Sequence, residues 1–413
     1  MNTRNPHKAA ARLLRAWRNE HGNAAIMFAL ATPVLIGGAG LAVETSFDYL
    51  SHSHLQSAAD AAAYAASIEA MGGSNLATIT AAASQQASAN GWSANNGSIT
   101  VHNPPSSGPN QGTPTAVEVQ LTQNVPRFFT ALFTPGTFSI SVRSVGISQT
   151  AASACILALN PTASQAIQVQ GNTTVNLAGC DVMSDSIASN AVNVWGSAQL
   201  SADCAVSVGG VANHGGMTMT GCPSPITNAP HVGDPFAGLP TPAPGPNQTV
   251  PNGNTVTLNP GNYSAGMTLH GNVTLNPGVY YVSSTFRINS NATVSGSGVT
   301  IYLASGTTVS MAGNADVNMA APTSGTYSGI LFFGARDGTG SVTFNGDATS
   351  HLTGDLYFPN QQVSYIGNFT GVNGCTQVVA DTVSWSGNTN ISVNCAAAGM
   401  QNIPARQAVK LVE

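Results

Sequence analysis

The feature that most constrains this chain is one unbroken apolar segment, Ala24 to Val43, near the N-terminus. About 20 apolar residues rising 1.5 Å each are enough to cross a hydrocarbon core of roughly 30 Å as a single helix. Several basic residues precede the segment, and no Lys or Arg follows it before Arg127. The positive-inside rule therefore predicts a cytoplasmic N-terminus, with the rest of the chain outside the cytoplasm.

A cleaved signal peptide is the alternative interpretation of this segment. The apolar region of a signal peptide usually has about 7 to 15 residues, fewer than are present here. Helical spacing also continues beyond Glu44, through residues of high helix propensity, until Met71 is followed by two glycines. We therefore predict a permanent anchor that continues into a stalk helix.

The composition excludes some classes of protein. Only 7% of the residues are charged, against about 25% in an average soluble domain. No basic patch follows the apolar segment, so a nucleic-acid partner is not expected. Low charge with many Val, Thr, Ser and Asn residues is typical either of disordered polar sequence or of stacked β-structure with short turns.

An internal repeat favours β-structure. Short alternating segments flank a Gly or Ser that is followed by a polar residue, and most of these markers recur at intervals of 19 to 25 residues: Gly171, Gly196, Gly271, Ser290, Gly313, Gly346, Gly367 and Gly387. Such a repeat predicts a right-handed parallel β-helix, a solenoid whose stacked coils share one interior. An antiparallel β-sandwich is the alternative, since it also has short strands between frequent turns.

All six cysteines follow the apolar segment, and an even number outside the cytoplasm predicts disulfides. Neighbours in sequence are separated by about one repeat, so sequential pairs could join adjacent coils. Fifteen pairings remain open, and Cys180 with Cys204 has a similar spacing. The predicted disulfide residues are Cys155, Cys180, Cys204, Cys222, Cys375 and Cys395.

These patterns divide the chain into seven regions. The segment between the two solenoid parts holds nine of the 23 prolines, and we interpret it as an excursion over the solenoid surface, with a hinge between two lobes as the alternative. The regions are a basic stub (1–22), a transmembrane helix (23–45), a pilin-like α+β unit with an Ala-rich stalk helix (46–150), a first solenoid part (151–222), the Pro-rich excursion (223–253), a second solenoid part (254–395) and a C-terminal tail (396–413).

In the α+β unit, three strands can form one small sheet that two helices cover. Its core would be aromatic and aliphatic, supplied by Phe128, Phe129, Leu132, Phe133 and Phe138.

The stretch HGNAAIMFALATPVLIGGAGLAVETSFDYLSHSHLQSAADAAAYAAS, residues 21–67, resembles the N-terminal region of TadG-like proteins of the Flp, or tight adherence, pilus assembly machinery. The resemblance rests on Gly22, the apolar span with Pro33, an acidic residue at Glu44, and the LQSAADAAA helix. Related prepilins usually have Glu at the fifth position after the cleaved Gly, where this chain has Met27. The resemblance implies a bitopic, noncatalytic envelope protein that accompanies a pilus apparatus, and the departure at Met27 argues against cleavage by a prepilin peptidase.

Catalysis on a solenoid would need carboxylates gathered on one face. The candidates are Asp316, Asp337, Asp347, Asp355 and Asp381, which lie in corner sequence where Asp commonly serves its own turn. No basic residues cluster with them, and neither the His nor the Cys spacing predicts a metal site. We expect no catalytic residue, metal or cofactor.

The sequence therefore predicts a single-pass protein of the bacterial inner membrane, with most of its mass periplasmic or extracellular. Its expected partners are that membrane, pilus-assembly proteins, and glycan or cell wall. A surface enzyme acting on polysaccharides and a structural envelope protein unrelated to pili are the alternatives.

Overall fold

The computed structural model describes residues 20–345, 350–366, 369–370, 375–392, 395 and 398–413. It shows an N-terminal apolar helix followed by a mostly β domain with parallel strands. The chain divides into two compact units. Unit 1 comprises residues 1–67, 75–147 and 411–413, and unit 2 comprises residues 68–74 and 148–410.

One continuous helix, α1 (Glu20–Met71), contains the apolar segment and the stalk, and Pro33 lies inside it. Ala25–Met71 is long and apolar enough to cross a membrane, and the most apolar stretch of it is not buried by the protein. This confirms the predicted candidate membrane span. In unit 1, α1 is joined by α2 (Leu76–Ala89), by the 3₁₀ helix Thr130–Leu132 and by an antiparallel sheet of β1 (Gly97–His102), β2 (Ala116–Pro126) and the first part of β3 (Thr137–Ala158).

The predicted aromatic core of unit 1 is wrong in part. Leu132 and Phe133 are 79% and 78% exposed, and Phe128 is 53% exposed. The sheet is instead covered by α1 and α2, whose inward side chains are mostly alanines with Leu55 and Ile79. Small side chains let the helices approach closely, so the aromatic residues at 128–133 are left outside.

Unit 2 consists of short strands. They are β4 (Ile167–Val169), β5 (Thr174–Ala178), β6 (Asp181–Ser184), β7 (Val192–Ala202), β8 (Ala205–Ser207), β9 (Val211–Met219), β10 (Thr255–Leu258), β11 (Gly261–Tyr263), β12 (Met267–Leu269), β13 (Asn272–Leu275), β14 (Gly278–Val282), β15 (Thr285–Ile288), β16 (Thr293–Ser297), β17 (Val299–Leu303), β18 (Thr308–Met311), β19 (Asp316–Ala320), β20 (Ile330–Gly334), β21 (Val342–Phe344), β22 (His351–Tyr365), β23 (Phe369–Thr370), β24 (Thr376–Trp385), β25 (Thr389–Ser392) and β26 (Ile403–Leu411).

From β10 to β19 each strand pairs in parallel with the strand three places further along the chain, as in β10 with β13 and β13 with β16. The same rule links β11, β14 and β17, and β12, β15 and β18. The strands therefore form three parallel columns, at odds with an antiparallel sandwich. Corner glycines suit this pattern, because Gly171, Gly196 and Gly271 have φ of +77°, +75° and +66°, where a side chain would be strained.

The order of the strands in the columns differs from their order in the chain. β24 pairs in parallel with β3 and β4, and β25 pairs with β5. The strands after the Pro-rich segment thus come first in each column, and those before it continue the columns. The segment consequently joins the last strands of the columns, near β9, to the first, near β10.

Between the columns lies one apolar core of Val, Leu, Ile, Met and aromatic side chains. Rings stack within it along successive strands: Phe344 lies 5.8 Å from Tyr365, and Tyr365 lies 5.6 Å from Trp385, centroid to centroid. Three disulfides join Cys155 to Cys180, Cys204 to Cys222 and Cys375 to Cys395, with Cα–Cα distances of 5.6, 5.5 and 5.2 Å. Each disulfide joins neighbours in sequence about one repeat apart.

Candidate functional site

The column that contains β17 carries apolar side chains on its outward side, which we call the covered face. Two of its strands are buried on both sides, since every residue of β17 and of β20 is buried. A single row of paired residues runs along this face: Tyr281, Tyr302, Phe333, Tyr357, Val379, Leu157, Met183 and Val206. A continuous apolar run is the expected composition of a strand packed on both sides.

Two segments lie on the covered face. The first, residues 226–240, which we call the strap, belongs to the Pro-rich segment and places Phe236 at 2% exposure against Tyr357, with ring centroids 5.2 Å apart. The second, residues 399–406, buries Ile403 and Ala405 in the same apolar cluster. Arg336 donates hydrogen bonds to the Phe236 and Leu239 carbonyls at 2.9 and 2.8 Å.

Buried carboxylates hold these two segments. Asp185 accepts hydrogen bonds from the Val232 and Gly233 amides at 2.9 and 3.1 Å, and its carboxylate lies 3.3 Å from His231 Nε2. Asp181, itself fully buried, accepts a hydrogen bond from Arg406 Nε at 2.7 Å. Burial raises the pKa of both carboxyl groups above the ordinary Asp value, and the hydrogen bonds offset this only in part.

The column that contains β13 presents a different outward side, which we call the open face. A row of paired residues again runs its whole length, passing through position 370, and small hydroxyl and amide side chains dominate it: Thr257, Thr274, Ser295, Asn318, His351, Asn390, Asn176, Ser201 and Thr218. At the usual strand spacing of about 4.8 Å, this open row is roughly 43 Å long. Most of its described side chains are exposed, including Thr274, Ser295 and Asn318.

The outward side of the remaining column, the third face, is also polar. Its row includes Arg287, Ser310, Thr343, Ser364 and Ser384. A shallow cavity of about 280 Å³ lies beside it, lined by Thr, Ser, Asn and Gln side chains. The open and third faces thus offer neutral hydrogen-bonding groups and few charges.

The acidic residues singled out as catalytic candidates do not gather. Asp355 is fully buried on the covered face, where the Gln377 amide, in the orientation that satisfies both groups, donates to its Oδ1 at 2.8 Å. Burial raises the pKa of Asp355 well above its ordinary value. Asp381 accepts from the Asn160 amide at 2.9 Å, while Asp316 and Asp337 are exposed. Asp347, like the markers Gly346 and Gly367, lies outside the described residues.

Among the described residues, no group of three or more His, Cys, Asp or Glu side chains could hold a metal ion. Asp355, one of the candidates, is closed to solvent. The buried carboxylates that hold the two covering segments, Asp181 and Asp185, were not predicted from sequence. Asp181 begins β6, and Asp185 directly follows it. These positions could have predicted that the two side chains hold other segments only if the covering segments had themselves been predicted.

A second group of contacts surrounds the base of the anchor helix in unit 1. Glu44 is 3% exposed and accepts hydrogen bonds from the Phe128 amide at 3.1 Å, the Thr130 amide at 2.7 Å and Thr130 Oγ1 at 2.6 Å. The carboxylate thus caps the 3₁₀ helix at its N-terminal end, where backbone N–H groups lack partners.

Neighbouring turns of α1 contact the same loop. The Phe129 ring lies over Gly40, where any side chain would meet it, and the Phe47 and Phe128 rings are 4.8 Å apart. Residues 40, 44 and 47 follow helical i, i+4, i+7 spacing and share one face of α1. The loop at 127–134, which we call the aromatic loop, is therefore held to the helix along two turns.

An exposed apolar helix joined to a disulfide-linked β domain indicates a membrane-anchored protein. Residues 22–84 match the family model described as putative Flp pilus-assembly TadE/G-like, and this range covers most of α1 and much of α2. The predicted resemblance is thereby confirmed for the N-terminal region. The match supports a role related to Flp pilus assembly at the membrane and suggests a nonenzymatic one. No curated protein and no solved structure matches the chain.

Proposed function

We propose that this protein is a noncatalytic component of Flp pilus assembly or surface adhesion that is anchored by α1 and displays unit 2 outside the cytoplasm. The observation that carries the proposal is the family match over residues 22–84, which coincides with the exposed apolar helix. The basic residues before the helix support a cytoplasmic N-terminus in the inner membrane. The three disulfides support an oxidising compartment for unit 2.

In this proposal unit 2 is a right-handed parallel β-helix. The pairing of each strand with the third strand after it supports one coil of three strands per level. Glycines with positive φ at the repeat markers support the corners between strands. A β-helix would explain why residues 19 to 25 apart become neighbours and why disulfides join them.

The open face is the contact surface that we assign to the displayed domain. It is long, uniform in composition and weakly charged, and no described segment covers it. Rows of hydroxyl and amide groups suit the hydroxyls of a glycan or cell-wall polymer, and they equally suit the polar surface of another pilus protein. Solenoid proteins commonly bind partners along such extended sides.

The test compares variants made in the native host. Deletion of the gene, and deletion of residues 148–410 with unit 1 retained, are both expected to reduce pilus number or surface attachment. Pilus number is counted by electron microscopy, and immunoblotting confirms that each variant accumulates in the membrane. Unchanged piliation and attachment in the gene deletion would refute the pilus role.

Two paired substitutions then locate the contact surface. Thr274→Lys with Asn318→Lys places two charges on the open row two levels apart, and both side chains are exposed. Thr343→Lys with Ser384→Lys is the matched control on the third face. We expect attachment to fall several-fold with the first pair only. A loss confined to the control pair would assign the contact to the third face instead.

A further inference from the structure

The aromatic loop exposes apolar side chains that no described residue of unit 1 covers. Leu132 is 79% exposed, Phe133 is 78% exposed, and Phe128 is 53% exposed. Exposed apolar residues scattered singly need no explanation, whereas three within six residues on one loop form a patch. The strands on either side, β2 and β3, bury Val125 and Ile140, so the exposure is confined to the loop.

The aromatic loop lies beside the part of α1 that contains Gly40 and Glu44. Phe129 packs on Gly40, and Glu44 binds the amides of residues 128 and 130. A span of about 20 residues that begins at Ala24 ends at Val43, so the loop contacts the helix at the last turn of the span. The apolar surface of α1 continues here through Leu41 and Val43, which are 50% and 68% exposed. The exposed loop residues are therefore adjacent to the exposed apolar helix surface.

From this continuity we propose that the aromatic loop inserts Leu132 and Phe133 into the interfacial layer of the lipid bilayer that α1 crosses. The inference rests on the anchor role proposed above and adds a second membrane contact to it. Aromatic rings favour the boundary between headgroups and acyl chains, and burying a side chain such as Leu or Phe is worth roughly 1.5 to 3 kcal/mol.

The polar end of the loop fits the same placement. Glu44 follows the apolar span directly, and its carboxylate is 3% exposed because the loop's own amides and Thr130 surround it. A carboxylate at the edge of a bilayer requires such partners, since unpaired charges are expensive there. Glu44 thus fixes the loop at the level where the hydrocarbon region ends.

The test uses the full chain in lipid vesicles and tryptophan fluorescence. Phe133→Trp places a reporter in the loop, and Leu132→Trp is the second variant in case the first misfolds. Leu76→Trp is the matched control, because Leu76 is also an exposed apolar residue of unit 1, at 51%. It follows the far end of α1, roughly 45 Å along the helix from Gly40. All variants share the native tryptophans, so differences from the unsubstituted chain report the new residue.

Lipids brominated high on their acyl chains are expected to quench the loop reporter by about half, as for a ring in the interfacial layer, and to leave the Leu76→Trp signal unchanged. Quenching of the loop reporter by aqueous iodide, with no effect of brominated lipid, would overturn the proposal. So would protection from both quenchers, because the loop would then be covered by protein. Resistance of the chain to carbonate extraction measures the α1 anchor separately, so loss of the anchor and loss of the loop contact are distinguishable.

Discussion

The covered face and the open face are built from the same kind of parallel strand, yet one needs protein above it and the other does not. On the covered face Tyr302, Phe333 and Tyr357 stand in register, and residues 226–240 and 399–406 lie over them. On the open face the equivalent row holds Thr274, Ser295 and Asn318, exposed to solvent. The side chain at every second position decides which face is sealed and which is left for contacts.

Among substitutions that compare the two faces, the largest loss of stability is expected at Phe236. Phe236→Ala removes a ring that is 2% exposed from between the strap and Tyr357, and truncating a buried Phe costs about 3 to 5 kcal/mol. Thr274→Ala on the open face is the control and should stay within about 0.5 kcal/mol. Hydrogen exchange of amides in residues 226–240 measures the effect. Equal protection in the two variants would contradict the comparison.

A smaller effect is expected when the polar attachment of the strap is removed. Asp185→Ala leaves the Val232 and Gly233 amides without their acceptor, a loss of about 2 kcal/mol for hydrogen bonds to a buried charge. Asp316→Ala is the control, since Asp316 is an exposed acid on the open face. Limited proteolysis should cleave the strap faster in the first variant alone. The assignment is wrong if both variants resist cleavage equally.

The smallest effect is a pH dependence confined to the covered face. Burial raises the pKa of Asp185 and Asp181 in the folded protein above their unfolded values. The folded state therefore binds protons more readily than the unfolded state, so stability is greatest at acidic pH and falls as the pH rises through the folded pKa values. Hydrogen exchange in residues 226–240 should be slower near the ordinary Asp pKa, at about pH 4, than near pH 7, after correction for the intrinsic rate. Asp185→Asn should reduce the difference, and an unchanged difference would remove Asp185 as its cause.

In unit 1 the stability changes with pH in the opposite direction, and it does so at a lower pH. Burial raises the pKa of Glu118, but hydrogen bonds from Arg143, Ser106 and Gln120 lower it by more, so it lies well below the ordinary value. The corresponding stability is present at neutral pH and is lost as the pH falls below the unfolded value. The two pH responses therefore occur in different windows and in different units.

The sequence allowed prediction of features whose causes are local. The apolar run identified α1, Gly and Asn marked the corners, and the cysteine spacing suggested sequential disulfides, because each signal lies within one repeat. The exposed aromatic loop was missed, since Phe128 and Phe133 are equally apolar whether they pack in a core or face lipid. The unbroken runs VTIYL and ILFFG did carry information on the covered face, but nothing local identified residues 226–240 as its cover.

The order of the strands within the columns could not be predicted from the sequence either. Asn160 and Asp381 are 221 residues apart and hydrogen-bonded, and strand pairing of this range depends on no local pattern. Each column could have begun with the first repeat in the chain. The structure begins it with β10, β11 and β12 instead, because the Pro-rich segment returns the chain to that end.

This strand order has a consequence for folding. During synthesis from the N-terminus, β3, β4 and β5 are made long before β24 and β25, the strands that pair with them. Until then those strands keep an unpaired edge, which is a template for aggregation. Folding of unit 2 is consequently a late and slow event, governed by contacts of very long sequence separation.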